Sequence, residues 1–478
     1  MVKDAFKKID QYLWELPASF RQGMRVGVRI YSSDKLWAQI EEESLEQLMN
    51  CAFLPGIIGY AFGMPDIHSG YGPPIGGVGA MEISQGVISP GFVGFDENCG
   101  VRLLKSQLNQ KEIEPYLEKL ADRIEKEIPS GLGRGRKTKL SINQINKVLD
   151  NGVPWLVEQG YGVEQDIENC EEGGCMRDAD SAFVSDRAKN RGRDQLGTLG
   201  SGNHFLEIQT VEEIYDKQVA ETFGLFTGQI VAMIHTGSRG LGHQNCSDYL
   251  KSALQAMPKY KISVPDKELA CTPFNSPEGQ NFLKAMYAVC NFAWANRQIV
   301  THYARKAFKE IIGNSNDLVL LYDVAHNIVK IEEHEVNGGI MKLIVHRKGA
   351  TRAFPAGHSG IPERYKSAGQ PVLIPGSMGT SSYVCVGTEK SKEAWHTVNH
   401  GAGRAMSRHA AINQIRGEDV VNHLQKQGIL VKCHSARNIA EEAPLAYKNI
   451  NDVVDVVQGA GLARKVARLK PLAVIKGE

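Results

Sequence analysis

Ile230-Val231-Ala232-Met233-Ile234-His235-Thr236-Gly237-Ser238-Arg239 joins five apolar residues to a histidine and a glycine–serine turn. A short apolar run closed by a turn signal reads as a buried strand. The histidine then falls at the strand's end, where a rigid scaffold presents polar groups to ligands. The arrangement recurs: Leu318-Val319-Leu320-Leu321 runs towards His326-Asn327, and Val372-Leu373-Ile374 runs into Pro375-Gly376-Ser377. Residues 343–345 and 384–386 read as two further short buried strands. Helical spacing marks 113–128, stopped by Pro129-Ser130-Gly131, and the long stretch 282–312. No internal repeat or Pro/Ser-rich linker divides the 478 residues. The expectation is one mixed α/β (α+β) domain spanning 1–478.

Composition excludes several classes. The chain is 42% hydrophobic and 23% charged, and no run approaches the roughly 18 consecutive apolar residues of a membrane span. Its first residues, Met-Val-Lys-Asp-Ala-Phe-Lys-Lys, lack the apolar stretch of a secretory signal, so a cytoplasmic location is expected. The 9 cysteines include no C-x-x-C pair; an odd total in a long chain argues for ordinary thiols, Cys170 and Cys175 included. A net charge of +1 neither attracts nor excludes nucleic acid. Local clusters say more: Arg134, Arg136, Lys137 and Lys139; Arg187, Lys189, Arg191 and Arg193; Arg347, Lys348 and Arg352. Each lies among Gly, Ser or Thr, as phosphate-gripping loops do, or forms a solvated basic face.

The 49 glycines gather in islands at 70–79, 91–100, 197–202, 237–242, 376–379 and 401–403. Glycine is this dense where backbone turns to positive φ or approaches a ligand closely. Asp96 and Cys99 lie in one island, Gly94-Phe95-Asp96-Glu97-Asn98-Cys99-Gly100, and His204, His235 and His326 lie beside others or after apolar strands. A carboxylate, a thiolate and imidazoles together suit a borderline divalent ion, and a thiolate can bridge two. His302, His409 and His423 fall in helical patterns, and His334 and His346 flank a hairpin. With His396 they receive no ligand role.

Three loops are built for phosphates and a base: Gly200-Ser201-Gly202-Asn203-His204-Phe205-Leu206-Glu207, then Pro375-Gly376-Ser377-Met378-Gly379-Thr380-Ser381-Ser382, then His400-Gly401-Ala402-Gly403-Arg404. The last precedes a helical stretch, 405–415, so its N–H groups are expected to face an anion. No P-loop and no Rossmann fingerprint occurs. A neutral His400 is a competent nucleophile towards phosphorus, and Arg404 would neutralise charge developing on the phosphoryl oxygens. The alternative is that His400 caps the helix. These residues by themselves imply metal-dependent phosphoryl or nucleotidyl transfer, and no more.

Together the islands resemble the RtcB family of RNA ligases over nearly the whole chain. The resemblance is carried by Met64-Pro65-Asp66-Ile67-His68-Ser69-Gly70-Tyr71-Gly72, by 93–102, 197–207 and 235–242, and by Asp323-Val324-Ala325-His326-Asn327. It continues through 345–352, 375–382, 400–404 and the terminal Lys476-Gly477. It implies mixed sheets flanked by helices around a deep metal and nucleotide cleft. It also implies GTP- and Mn²⁺-dependent joining of an RNA 3′-phosphate or 2′,3′-cyclic phosphate to a 5′-hydroxyl. The family's guanylylated histidine falls on His400, and its two-manganese site on Asp96, Cys99, His204, His235 and His326, with Cys99 bridging. Guanosine contacts fall on Asn203, His204, Phe205, Leu206, Glu207, His326, Asn327, Pro375, Gly376, Ser377, Met378, Ser382, Gly401, Ala402, Gly403, Tyr447 and Lys476. Asp66 and His68 are expected to orient the metals or the 5′-hydroxyl. Arg191, Arg239 and Arg352 are expected to grip RNA phosphates, beside Arg404. A carboxylate at Glu207 accepts from guanine N1–H and its exocyclic amine, which adenine cannot satisfy.

Two positions depart from the family pattern: Glu97 stands where an apolar residue is expected, and Asn399 precedes His400. Glu97 either joins the ligand set or points outward. Three readings follow: an RNA ligase, an enzyme that stops after capping a 3′-phosphate with GMP, and a catalytically silent RNA- or nucleotide-binding protein. The first leaves room for an accessory activator protein and has no membrane partner.

Overall fold

A computed structural model of the chain describes residues 2–131, 135–136, 139–313, 318–433 and 435–477. The opening run forms the strand Gln229–Thr236, buried at every position. Burial on both faces is what a continuous apolar run demands. It lies inside an eight-stranded sheet, between Gly100–Asn109 and Phe205–Ile214 and antiparallel to both. Val319–Ala325 pairs outside the first of these, and Ala463–Lys476, Ser382–Gly387 and Pro371–Ile374 follow the second in that order. Leu430–Lys432 runs parallel to the end of the Ala463–Lys476 strand.

A seven-stranded sheet holds Ile57–His68, Ile75–Glu82 and the hairpin of Asn327–Val336 with Gly339–Lys348, extended by three N-terminal strands. Tyr31, Phe62, Val78 and Val345 from this sheet pack with Val372, Ile374, Tyr383 and Cys385 from the other, so one core lies between them. The opposite face of the seven-stranded sheet is covered by helices Asp34–Gln39, Glu42–Cys51 and the start of Pro277–Ile312. The mixed α/β expectation holds. Among the described residues no helix is long and apolar enough to cross a membrane, and none of the 9 cysteines forms a disulfide.

The long helix begins at Pro277 rather than 282, because Ser276 accepts from Gly279 N–H and Pro277 starts the first turn. The 113–128 helix is interrupted: Pro115 lies in a 3₁₀ turn, Glu114–Tyr116, ahead of the α-helix Leu117–Glu127. The middle of Pro277–Ile312 is buried all round, yet carries Asn296-Arg297-Gln298. Buried polar groups must be paired, and these are. Asn296 Oδ1 accepts from Gly197 N–H (2.6 Å) and Thr198 N–H (3.1 Å), and its Nδ2 donates to Thr198 O and Gly237 O. Arg297 donates to Asn98 O and Thr236 O, both at 2.9 Å, and to both oxygens of Asp323, which also pairs with Arg102 at 2.7 Å. One helix thereby ties three glycine-rich loops, and the strand that carries Asp323, to the same point.

Candidate active site

Sheet register brings the donor residues together. Gly100 pairs with Thr236 and with Ala325, while Phe205 pairs with His235 and with Lys476. Antiparallel pairing puts the starts of two strands beside the ends of others. Cys99 and His204, each one residue before a strand, therefore meet His235 and His326 at one sheet end. His326 is also the residue at which the chain leaves Val319–Ala325 and enters Asn327–Val336 of the other sheet.

The ligand atoms converge. Cys99 Sγ lies 3.3 Å from both His204 Nε2 and His235 Nε2, and His235 Nε2 lies 3.4 Å from His326 Nε2. Asp96 Oδ2 is 2.9 Å from His204 Nε2, and Oδ1 accepts from Ser238 N–H at 2.9 Å. Two groups of three result, Cys99–His235–His326 and Asp96–Cys99–His204, each within 4.8 Å and sharing the sulfur. Gly237 makes room for the carboxylate: a Cβ there would lie 2.4 Å from the Asp96 oxygens. Burial holds His235 and His326 well below the usual imidazole range, helped by neighbouring histidines, so both rings are neutral donors. Burial pushes Asp96 up, but the hydrogen bond and charge of His204 outweigh it and hold the carboxyl below the usual range. The Nδ1 atoms of His204, His235 and His326 are buried without partners, so each ring turns its Nε2 to the common point. One carboxylate, one sulfur and three imidazole nitrogens fit a borderline divalent cation.

Glu97 neither joins this set nor points outward. It is fully buried, both oxygens accept from Asn245 Nδ2 (3.1 and 3.0 Å), and burial raises its carboxyl well above the usual range. Asn399 is also buried; its Nδ2 donates to Gly401 O at 2.8 Å and shapes the turn behind His400.

His400 lies against this centre, its ring 4.9 Å from that of His326. Asp66, fully buried on Ile57–His68, places Oδ2 2.6 Å from His400 Nδ1, a close contact whose alignment falls short of a hydrogen bond. The same oxygen accepts from His400 N–H (3.2 Å) and Gly401 N–H (3.3 Å). With Nδ1 turned to Asp66, Nε2 is the nitrogen left for the cavity. The expected anion site at a helix start is not formed. Ala405 N–H and Met406 N–H bond to Ala446 O, and the helix begins only at Arg408, capped by Ser407. The N–H groups at 400 and 401 serve Asp66 instead. Gly403 adopts φ +71°, and a Cβ there would sit 2.2 Å from Asp66 O, so the loop closes on that strand only with glycine.

A cavity of about 380 Å³ opens between the donor set and His400. Its wall includes Asp96, Cys99, His235 and His326, with His68, Asn203, Phe205, Asn327, Tyr447 and Lys476. Pro375, Gly376, Ser377 and Met378 face it across from His400, Gly401, Ala402, Gly403 and Arg404. His68 Nδ1 is 2.8 Å from Asp66 O, and burial drops its ring to about 3. His204 reaches the site through Cys99 and Asp96. Ser382 stands behind the wall, where its Oγ accepts from Gly376 N–H and from Gln209 Nε2, each at 3.1 Å. Leu206 packs with Leu104 and Ile208 in the core, so its side chain contacts no ligand there. Arg404 is on the wall, but donates to Met406 O, Glu441 O and Glu442, and its charge is already met. Tyr447 O–H donates to the same buried Glu442.

Glu207 lies two residues beyond Phe205 on the same strand face and is fully buried. Oε2 accepts from Gln209 Nε2 at 2.6 Å, while Oε1 has no partner. Burial pushes the carboxyl up to about 8, against the opposing pull of Gln209 and Lys476. The folded value lies above the 4.5 of a free glutamate, so the unfolded chain releases this proton first. This contribution to stability is complete below about pH 4.5 and is lost as pH rises to about 8. Glu207→Gln should remove that slope. Thermal melting at pH 6 and pH 8.5 should show a larger loss for the unsubstituted chain than for the variant; parallel losses would assign the slope to other groups.

The cluster at 347–352 is turned inward. Arg347 makes a bidentate pair with Glu332 (2.7 Å each), and Arg352 pairs with Glu172 at 2.6 Å; both are buried, away from the cavity. They sit on the paired strands Gly339–Lys348 and Ala350–Arg352, where a charge must be matched inside the protein. Lys348 lines the cavity and donates to the carbonyls of Tyr71 and Pro73. Arg239 is half-buried and holds Thr198 Oγ1 and Gly131 O, both at 3.2 Å. Arg191 is exposed, 3.1 Å from Gln244 Oε1. Arg136 stacks over Tyr303 at 3.8 Å, and Arg134 and Lys137 lie outside the described residues. Sequence reasoning missed Asn296 and Arg297, which anchor the site, and the cavity residues Phe95 and Tyr71. A polar pair inside an apolar helix was the available signal for the first two.

A family model described as tRNA-splicing ligase RtcB matches residues 47–477. The tRNA-splicing ligase RtcB of Thermococcus kodakarensis is 52% identical over 476 residues, 98% of each chain. That of Archaeoglobus fulgidus is 51% identical over 475 residues, again 98% of each, and that of Methanococcus maripaludis 50% over 480 residues, 100% of each. The donor set, the histidine beside it and this full-length similarity agree: the chain belongs to the RtcB family of tRNA-splicing ligases.

Proposed function

We propose that this chain, working as one domain over 1–478, joins an RNA 3′-phosphate or 2′,3′-cyclic phosphate to a 5′-hydroxyl, using GTP and Mn²⁺. The names of its relatives favour transfer RNA splicing as the setting, and the reaction is proposed to take place in the cytoplasm. The observation that carries the reading is the Asp66–His400 pair, whose free nitrogen opens on a cavity walled by the donor set. Asp96, Cys99, His204, His235 and His326 would hold two manganese ions, Cys99 belonging to both. Bound manganese would supply charge withdrawal from the phosphoryl oxygens.

His400 Nε2 attacks the α-phosphorus of GTP; a P–N bond forms, the bond to pyrophosphate breaks, and Asp66 stabilises the positive ring. The RNA 3′-phosphate oxygen then attacks the same phosphorus and releases His400, leaving GMP joined to the RNA end. The 5′-hydroxyl attacks that activated phosphate, gives up its proton, and GMP departs. A cyclic phosphate is first opened by water. Glu207, whose Oε1 lacks a partner, would accept from guanine and disfavour adenine. Phe205, Asn203, Asn327, Tyr447, Lys476 and the 375–378 and 400–403 loops would surround the nucleoside. Arg191 and Arg239 are the candidates for RNA phosphates. Arg352, buried and paired, would act only by supporting the strand before the site.

The test is a denaturing gel with a 5′-hydroxyl strand and a 3′-phosphate strand, plus GTP, Mn²⁺ and the protein, with and without cell extract to supply an accessory activator. Joined strands are expected. A 3′-phosphate strand merely lengthened by GMP would favour the capping enzyme, and unchanged strands would favour the binding protein.

A further inference from the structure

Three rings from three separate segments meet at the mouth of the cavity. Tyr71 and Phe95 have centroids 5.0 Å apart at 63°, and Phe95 and His243 lie 4.8 Å apart at 24°. Tyr71 is 45% exposed; its carbonyl accepts from buried Lys348 and its side chain bonds Glu268, so the ring is held at the surface. His243 is exposed near the start of helix Arg239–Ala256. Phe95 directly precedes Asp96, so the ring row begins one residue from the donor set, and Tyr71 and Phe95 both line the cavity. Phe95 packs partly against the core around Cys246 and Leu250, and the row it anchors leaves Tyr71 and His243 exposed. The row matches the flat face of a nucleobase, which stacks on aromatic side chains whatever its identity.

A cation completes the surface. Arg191 packs against Gly240 and bonds Gln244 Oε1 at 3.1 Å, so its guanidinium lies beside the same helical turns that present His243. A base on the rings would place its strand's phosphate within reach of this group, which is charge complementarity of the kind RNA backbones require.

We infer that Tyr71, Phe95 and His243 form a stacking platform for the terminal nucleobase of an RNA end delivered to the donor set, with Arg191 holding a phosphate of that strand. This rests on the RNA-joining reading above. Either RNA end offers the same chemistry, a base beside a phosphate, and the platform accepts all four bases.

The experiment uses short RNA strands carrying 2-aminopurine at a 5′-hydroxyl terminus, at a 3′-phosphate terminus, or in the interior, titrated with the full chain and Mn²⁺. Terminal 2-aminopurine at one of the two ends should be quenched on binding, the interior one not, and the quenched end identifies the strand. Tyr71→Ala should lose the quenching and weaken binding about 10-fold, and Tyr71→Trp should keep both. The unsubstituted chain should bind a strand with an abasic terminus about 10-fold more weakly than its base-bearing counterpart. Equal binding of abasic and base-bearing ends, or binding without terminal quenching, overturns the platform alone. Failure to bind any of these strands overturns the RNA-joining reading, and the platform with it.

Discussion

His400→Ala abolishes covalent labelling of the chain by α-³²P-GTP in the presence of Mn²⁺, and Asp66→Asn lowers the initial rate of labelling by about 10²–10⁴-fold. The first expectation follows from placement. His400 is the histidine that both faces the cavity and has a buried carboxylate against its other nitrogen, whereas His68 turns Nδ1 to a backbone carbonyl. His235 and His326 turn Nε2 into the donor set. The second follows from what Asp66 does. Its carboxylate stands against Nδ1, leaves Nε2 to the cavity, and offsets the charge that the ring acquires when Nε2 bonds to phosphorus. Asparagine keeps an oxygen for the N–H groups of His400 and Gly401, so the loop should hold its shape while that charge goes unmet. The label should be acid-labile and alkali-stable, as a P–N bond is. Undiminished labelling of His400→Ala would remove the nucleophile from the proposal.

How far the site was legible depends on the kind of signal each residue leaves. The strand-then-histidine runs at 230–235 and 318–326 announce themselves, because an apolar run needs a buried strand and its terminal polar residue must end at a sheet edge. The structure turns both into sheet ends, and antiparallel register does the rest. That register, however, is a property of pairing between segments from 30 to more than 200 residues apart. No local pattern says that Gly100 stands opposite Thr236. The helix expected at 405–415 failed for a similar reason. Propensity favoured it, but the 444–446 turn captures the backbone N–H groups of Ala405 and Met406 and delays the helix to Arg408. The Arg347–Lys348–Arg352 cluster misled because charge in a glycine-containing stretch looks solvated in one dimension. Its partners Glu332 and Glu172 come from elsewhere in the chain. Asn296 and Arg297 show the reverse case: their role is visible only when the three loops they hold are seen at one point.

Cys99→Ser should impair both of the manganese sites proposed above, whereas His326→Ala and His204→Ala should each impair one. The asymmetry comes from membership. The sulfur belongs to both groups of three donors, while His326 belongs only to the group with His235, and His204 only to the group with Asp96. A hydroxyl at 99 is a poor replacement: it is shorter than a thiol, does not ionise readily in a buried place, and is not a soft donor. Loss of a residue that merely orients a ligand costs about 10–100-fold in metal affinity, so loss of the shared ligand should cost more than about 100-fold. Mn²⁺ titration followed by calorimetry, with electron paramagnetic resonance to count free ion, reads stoichiometry and affinity without requiring turnover. The expected pattern is two sites in the unsubstituted chain, one in each histidine variant, and neither at the same concentrations in Cys99→Ser. Normal folding of the variants is checked by melting, since Cys99 is buried and Gly100 beside it packs against Arg297. If Cys99→Ser retained one tight site, the sulfur would be a ligand to a single ion. The two groups would then act independently, and Asp96 and His204 would position the reacting ends without joining a bridged pair.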